Sequence, residues 1–414
     1  MEHYRPKLQS AEDNDASIYW LSLLSTSLGV WPQKLVGERK VWWKRLYYFM
    51  IFMHWYNTYL QVEFFFHNFG ALKTMTEGLC SFCSISLTGV KIMRLYSFSD
   101  EINMMLNKMR NHEFMQKITF LKKGKNREIF QQFGQIMKNK WKEVKINLQL
   151  YSFSVGVTAS SYSIIPAVIN LINLFQGSSE PRRFVYKTYY RGMENLKYYS
   201  PLHELLFCSE SLSGYTTFAG VIAFDGLYVL MTMHVVTMFK SLNLIIKEST
   251  SAGFTDEEKQ LYLHECVDHY TRAIMFMDDI NKIFSPILIL QLFTSTSIIC
   301  VIAFHASANA SEGDSQIFVM VVYLIAAFYQ LFQFCWYGQR VQNESIELPN
   351  SVYDCNWHQC SKKFKTKLQL FLLNVQKTVD ISAYNLIVMS METYLSIVRT
   401  AASYFTALQT LTEE

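Results

Sequence analysis

Over residues 205–246 the chain stays apolar with little break for about forty residues, about twice the length that crosses a bilayer. A helix built from it must project beyond the membrane, into the cytoplasm in the orientation argued below. Other apolar segments run over 46–66, 75–95, 146–171, 283–305, 317–337 and 383–411. Half of the 414 residues are hydrophobic and 17% are charged, against roughly 25% in soluble domains. One polytopic membrane domain therefore accounts for the chain better than two or three soluble ones. The mean hydropathy of +0.07 is held down by charged stretches between the apolar segments. The polar, mixed-charge N-terminus reads as no cleavable signal, so the first span is expected to act as its own insertion signal.

Charge sets the orientation. Of the 38 Lys and Arg residues, 30 fall on the inner side, in segments 1–45 and 96–145, in the connections after spans four and six and, as Arg94 and Lys240, at the inner ends of spans two and four, and 6 fall in the outer loops. Positive residues accumulate on the cytoplasmic side. The expected fold is an all-α polytopic membrane protein with seven transmembrane helices, N-terminus cytoplasmic and C-terminus extracellular. It divides into a cytoplasmic segment 1–45 and spans one to four over 46–246, with a basic inner loop 96–145 and an outer loop 175–203. Spans five and six with cytoplasmic anchor helices follow over 247–382, then a last helix over 383–414.

The inner loop carries Lys108, Arg110, Lys117, Lys122, Lys123, Lys125, Arg127, Lys138, Lys140, Lys142 and Lys145. Contact with anionic lipid explains that run better than nucleic acid does. His54 and Glu63 in the first span are expected to face other helices, and Asp225 is an intramembrane carboxylate with no partner visible in the sequence. Eight cysteines form no extracellular disulfide framework, since all but Cys208 fall in apolar or inner segments.

Chemistry motifs are weak. Cys80-x-x-Cys83 lies in an apolar helix, His264 has Asp268 where a zincin needs histidine, and Cys355, His358 and Cys360 lack a fourth ligand. No phosphate loop or nucleophile elbow appears. Neither catalysis, a metal nor a cofactor is expected. Asn309-Ala310-Ser311 is a sequon in an outer loop, close to the membrane.

The final apolar segment carries Glu392, Ser396, Arg399, Ser403, Thr406 and Thr410 at intervals of four, three, four, three and four, which draws one polar stripe along a helix. A bilayer does not accept such a stripe facing lipid. Packing against neighbouring helices and lining an aqueous path account for it equally well.

Several fixed spacings carry a resemblance. They are Phe334-Cys335-x-Tyr337-Gly338-Gln339, Glu344-Ser345, Tyr353, Trp357, Gln376-Lys377 and the terminal Ala402-Ser403-Tyr404-Phe405-Thr406-x-Leu408. Upstream stand His269-Tyr270, Asn281, Phe284-Ser285 and a run through Gln291, Ser295 and Cys300. The pattern resembles the insect odorant receptors. The resemblance implies an odorant-tuned subunit of a ligand-gated, non-selective cation channel. Such a subunit forms a heterotetramer with the odorant receptor co-receptor in the plasma membrane of an olfactory neuron dendrite.

It implies that the last helices of four subunits surround the pore, with Ser403, Thr406, Ala407 and Thr410 at the constriction. The co-receptor has a bulkier valine at the position of Ala407. It also implies a pocket for a small volatile hydrophobic ligand in the outer half, near Ser81, Ser84, Ile85, Thr158, Tyr162, Leu212, Thr216 and Tyr323. The rivals are a gustatory receptor of the same superfamily, a seven-helix G-protein-coupled receptor, and a transporter, which would show internal repeats.

Overall fold

The computed structural model describes residues 10–30, 38–110, 127–178, 180–250, 253–308 and 315–413. Lys117, Lys122, Lys123 and Lys125 of the basic loop and the sequon at Asn309 lie outside the described residues. Helices dominate: α1 (Ser10–Ser27), α2 (Glu38–His67), α3 (Leu72–Ser97), α4 (Ser99–Arg110), α5 (Arg127–Phe175), α6 (Leu202–Glu248), α7 (Asp256–Ala308), α8 (Ser315–Tyr353), α9 (Lys362–Val375) and α10 (Met391–Glu413). Inside a bilayer every backbone polar group must be satisfied within the element, which an α-helix does. Of these helices α3, α5, α6, α7 and α8 are long and apolar enough to span on hydropathy alone. By the same measure α2 and α10 are not among them.

The 47 residues of α6 extend for about 70 Å, against a hydrocarbon core of about 30 Å. It is the central element, packed by α1, α2, α3, α5, α7 and α8. Its most apolar stretch is buried throughout. Small residues let the neighbours in: a Cβ on Gly220 would meet Ile92 and Thr88 of α3 at 2.8 Å.

Where it is described, at 96–110 and 127–145, the basic stretch is almost entirely helix. The 49-residue α5 runs unbroken from Arg127 through the third apolar segment to Phe175 and includes Pro166. Helix starts are built locally. Thr255 and Glu258 cap each other before α7, with Thr255 N donating to Glu258 Oε2 at 3.0 Å and Glu258 N to Thr255 Oγ1 at 3.3 Å. Ser361 Oγ accepts from Phe364 N at the start of α9.

The last segment departs from its expected course. Residues 383–390 are not helix. They belong to a small antiparallel hairpin, β1 (Ser382–Ala383) and β2 (Ile387–Val388), in register Ser382↔Val388 and Ala383↔Ile387. Tyr384 and Asn385 at its turn have φ of 52° and 57°, which an α-helix cannot contain. Helix begins only at Met391, where Ser390 Oγ accepts from Thr393 N at 3.3 Å.

Candidate ligand-binding site and terminal helix

A cavity of about 110 Å³ lies among α3, α5, α6, α7 and α8. Ser81, Ser84, Ile85, Thr158, Tyr162 and Tyr323 line it. Leu212 and Thr216 do not. On α6 the lining positions are Gly214, Thr217, Phe218 and Val221, one helical face, and residues 212 and 216 fall on others. Thr216 turns toward α2 instead, with its Oγ1 2.8 Å from His54 Nδ1; the other ring nitrogen of His54 is 2.8 Å from the Ile85 carbonyl. His54 thus faces other helices, as expected. Glu63 does not: it accepts from Tyr59 OH of its own helix at 2.5 Å.

The walls are mostly apolar with a few hydroxyls. Tyr323 OH bonds to Ser84 Oγ and lies 3.3 Å from the Cys80 carbonyl. At one end the cavity is closed by Tyr186, from the segment between α5 and α6. Glu210 fastens that segment. Its carboxylate, on a fully buried residue, accepts from Val185 N at 2.8 Å, Tyr186 N at 3.1 Å, Thr188 Oγ1 at 2.6 Å and Tyr190 OH at 2.8 Å. Lys187 adds an ion pair to Glu77 of α3 at 2.9 Å.

At the opposite end stands the partner that the sequence left unnamed. Lys91 Nζ donates to Asp225 Oδ1 at 2.7 Å, and Tyr151 OH and Gln330 Nε2 donate to Oδ2 at 2.5 and 2.7 Å. Lys91, Tyr151 and Gln330 all line the cavity. A charge inside a bundle persists when it is paired and its remaining lone pairs are satisfied; here one carboxylate takes three donors from three helices.

From this floor α8 leads to the terminal helix. Tyr228 OH of α6 donates to the Phe334 carbonyl at 2.9 Å. One turn on, a Cβ at Gly338 would collide with the Met389 carbonyl, so only glycine lets α8 approach the hairpin this closely. Met391 N donates to Gln339 Oε1 at 3.2 Å and Val379 N to Ser345 Oγ at 2.9 Å. On α7, Asn281 Oδ1 accepts from Ser382 N at 3.3 Å and Ser285 Oγ accepts from Tyr384 N. The spaced residues of the C-terminal half thus converge on the turn into α10.

On α10 the stripe is exposed along its length: Glu392, Ser396, Arg399, Ser403, Thr406 and Thr410 all face outward, as does Ala407. The opposite face, with Met391, Tyr394, Ile397, Ala401 and Phe405, packs on the core. The stripe therefore does not pack within this chain. Its hydroxyls donate to their own helix, Ser403 to Arg399 O at 3.1 Å, Thr406 to Ser403 O at 2.8 Å and Thr410 to Ala407 O at 2.9 Å. With the protons turned inward, the free oxygen lone pairs point away from the chain.

A family model described as the 7tm odorant receptor matches residues 72–402. The chain is 26% identical over 341 residues to odorant receptor 63a of Drosophila melanogaster, a match covering 79% of this chain and 80% of that one. To odorant receptor 10 of Aedes albopictus it is 22% identical over 261 residues, covering 60% and 69%. Its fold is similar to that of the insect olfactory receptor OR5 from Machilis hrabei, solved in complex with eugenol. The TM-score is 0.75 at 14% identity, over 96% of this chain and 100% of that one.

Proposed function

The chain belongs to the odorant receptor family, and on that premise we propose that it is the odorant-tuned subunit of a ligand-gated, non-selective cation channel. It binds a small volatile in the cavity beneath Tyr186. With a co-receptor in a heterotetramer, it opens a central pore walled by α10, whose narrowest part is formed by Ser403, Thr406, Ala407 and Thr410. A ligand moves such a gate only through different affinities for its closed and open arrangements. The path from cavity to gate runs down α8, past Gly338, into the hairpin.

The observation that carries this reading is the outward hydrophilic face of α10 opposite a packed apolar face. Lipid is a poor solvent for Glu392 and Arg399, whereas a shared aqueous conduit is a good one. Inward-bonded hydroxyls leave acceptor oxygens toward that conduit, the polarity that suits a cation. In this arrangement α2 and α10 are spans as well, seven in all, with the N-terminus inside and the C-terminus outside. The long inner ends of α6, α7 and α8, with α9, hold the subunits together below the membrane, and the apolar side chains exposed on α2 and α5 meet lipid. The protein then resides in the plasma membrane of a sensory neuron's dendrite.

Cysteines placed one at a time at Ser403, Thr406, Ala407 and Thr410 test this, in cells that also express a co-receptor. A charged thiol reagent added outside should block odorant-evoked current at these positions and not at Ile397 or Ala401. Reaction at the apolar face alone, or no current in any odorant screen with the channel at the surface, would overturn the reading. A gustatory-type channel would instead answer to non-volatile tastants without a co-receptor.

A further inference from the structure

The hydrogen-bond chain at the cavity floor has a direction, and it ends on an atom with nothing to bond to. Asp225 as a carboxylate can only accept, so the Gln330 carboxamide must present its NH2 to it, as it does at 2.7 Å. The Gln330 carbonyl oxygen is thereby turned to Gln291 of α7, whose Nε2 donates to it at 3.1 Å and to Ser295 Oγ at 3.0 Å. That fixes the second carboxamide as well. What is left over is Gln291 Oε1, buried and without a partner among the described residues. Gln291 is 1% exposed and lines the cavity.

A buried carbonyl oxygen lacking a donor is unfavourable unless something supplies one. The hydroxyls of Ser84, Thr88 and Tyr323 can rotate to give or to accept, so they impose no sign on a visitor. Gln291 does impose one, because its orientation is locked from Asp225 outward. Charge is settled too: Lys91 and Asp225 compensate each other, so an ionised ligand would arrive without a counter-charge. The volume is on the scale of the cavity of about 150 Å³ that takes up one benzene.

Resting on the odorant-gated reading above, we infer that the cavity selects a neutral ligand offering one hydrogen-bond donor, a compact alcohol or phenol, whose O–H is met by Gln291 Oε1. Gln291 is then a specificity-determining residue. An ether of the same skeleton fills the same space and leaves that oxygen bare.

The test uses matched pairs on the full chain co-expressed with a co-receptor: 4-methylphenol against 4-methylanisole, benzyl alcohol against benzyl methyl ether, and 1-hexanol against methyl pentyl ether. In each pair the hydroxyl compound should reach half-maximal current at a concentration about 10-fold lower or better. Gln291→Met, similar in size and only a weak acceptor, should bring the ratio near one and leave the ether response in place. Ser295→Ala, which spares Oε1, should keep the preference.

Ethers as potent as alcohols in the unsubstituted channel would overturn this inference and leave odorant gating standing. A preference that survives in a conducting Gln291→Met channel would do the same. If that variant fails to reach the surface, the ratio in the unsubstituted channel decides alone. Silence toward every pair in a channel that other odorants open would overturn this inference alone, and silence toward every odorant screened, with the channel at the surface, would overturn the gating reading with it.

Discussion

Lys91 and Asp225 meet at 2.7 Å with both charged side chains wholly withdrawn from the surface. Removing either partner strands the other. Asp225→Asn or Lys91→Met should cost about 3–5 kcal/mol, and the double substitution should cost less than either alone. Thermal unfolding of the detergent-purified protein measures this, and strictly additive losses would show that the two charges are not a pair.

Glu210 holds four donors of the segment that closes the cavity. Glu210→Ala should speed hydrogen exchange at the Val185 and Tyr186 amides about 10-fold or more, since each bond to a charged acceptor is worth about 1.5–3 kcal/mol. Exchange at the α6 amides beyond Gly220 should not change. Unaltered exchange at 185–186 would mean that other contacts hold the segment.

Gly338→Ala should separate α8 from the hairpin, at a cost of about 1–3 kcal/mol. Current per surface channel should fall about 10-fold. Gly134→Ala is the control: a Cβ there meets nothing within 4 Å, and alanine favours the helix. Surface biotinylation with whole-cell recording separates lost gating from lost delivery.

His269, in the N-terminal part of α7 ahead of its apolar stretch, is buried 3.0 Å from the Met238 carbonyl, and desolvation holds its imidazole down at about 4 against an ordinary 6.5. The folded protein keeps it neutral where the unfolded chain takes up a proton. Stability from this site is therefore complete above about pH 6.5 and declines as pH falls toward 4, by up to about 3 kcal/mol. In melts across pH 4–7.5, His269→Gln should flatten that slope.

The sequence revealed the long helices better than the joints between them. The length of the apolar segments located the apolar helices and foretold that α6 would be longer than a bilayer is thick. Spacing alone found the α10 stripe, because a helix converts intervals of three and four into one face. The hairpin at 382–388 was hidden because an apolar run gives no sign of a left-handed turn at Tyr384 and Asn385. Asp225 was visible as an anomaly, but Lys91 lies 134 positions away and only packing joins them. Leu212 and Thr216 sit at the depth of the cavity, yet on other faces of α6. The converse holds for Asn281, Ser285, Gln339 and Ser345: the family resemblance marked them, and only their bonds to the 379–391 stretch explain why those side chains are needed.

The three other longest helices, α5, α7 and α8, each contain a proline, at 166, 286 and 349. The 47-residue α6 contains none. A proline-free rod lacks the commonest site for a kink. In the orientation proposed above, pressure applied beside Phe218 and Val221 would be relayed lengthwise as tilt or sliding of the whole shaft rather than absorbed in a bend, carrying the far end at Glu248 with it.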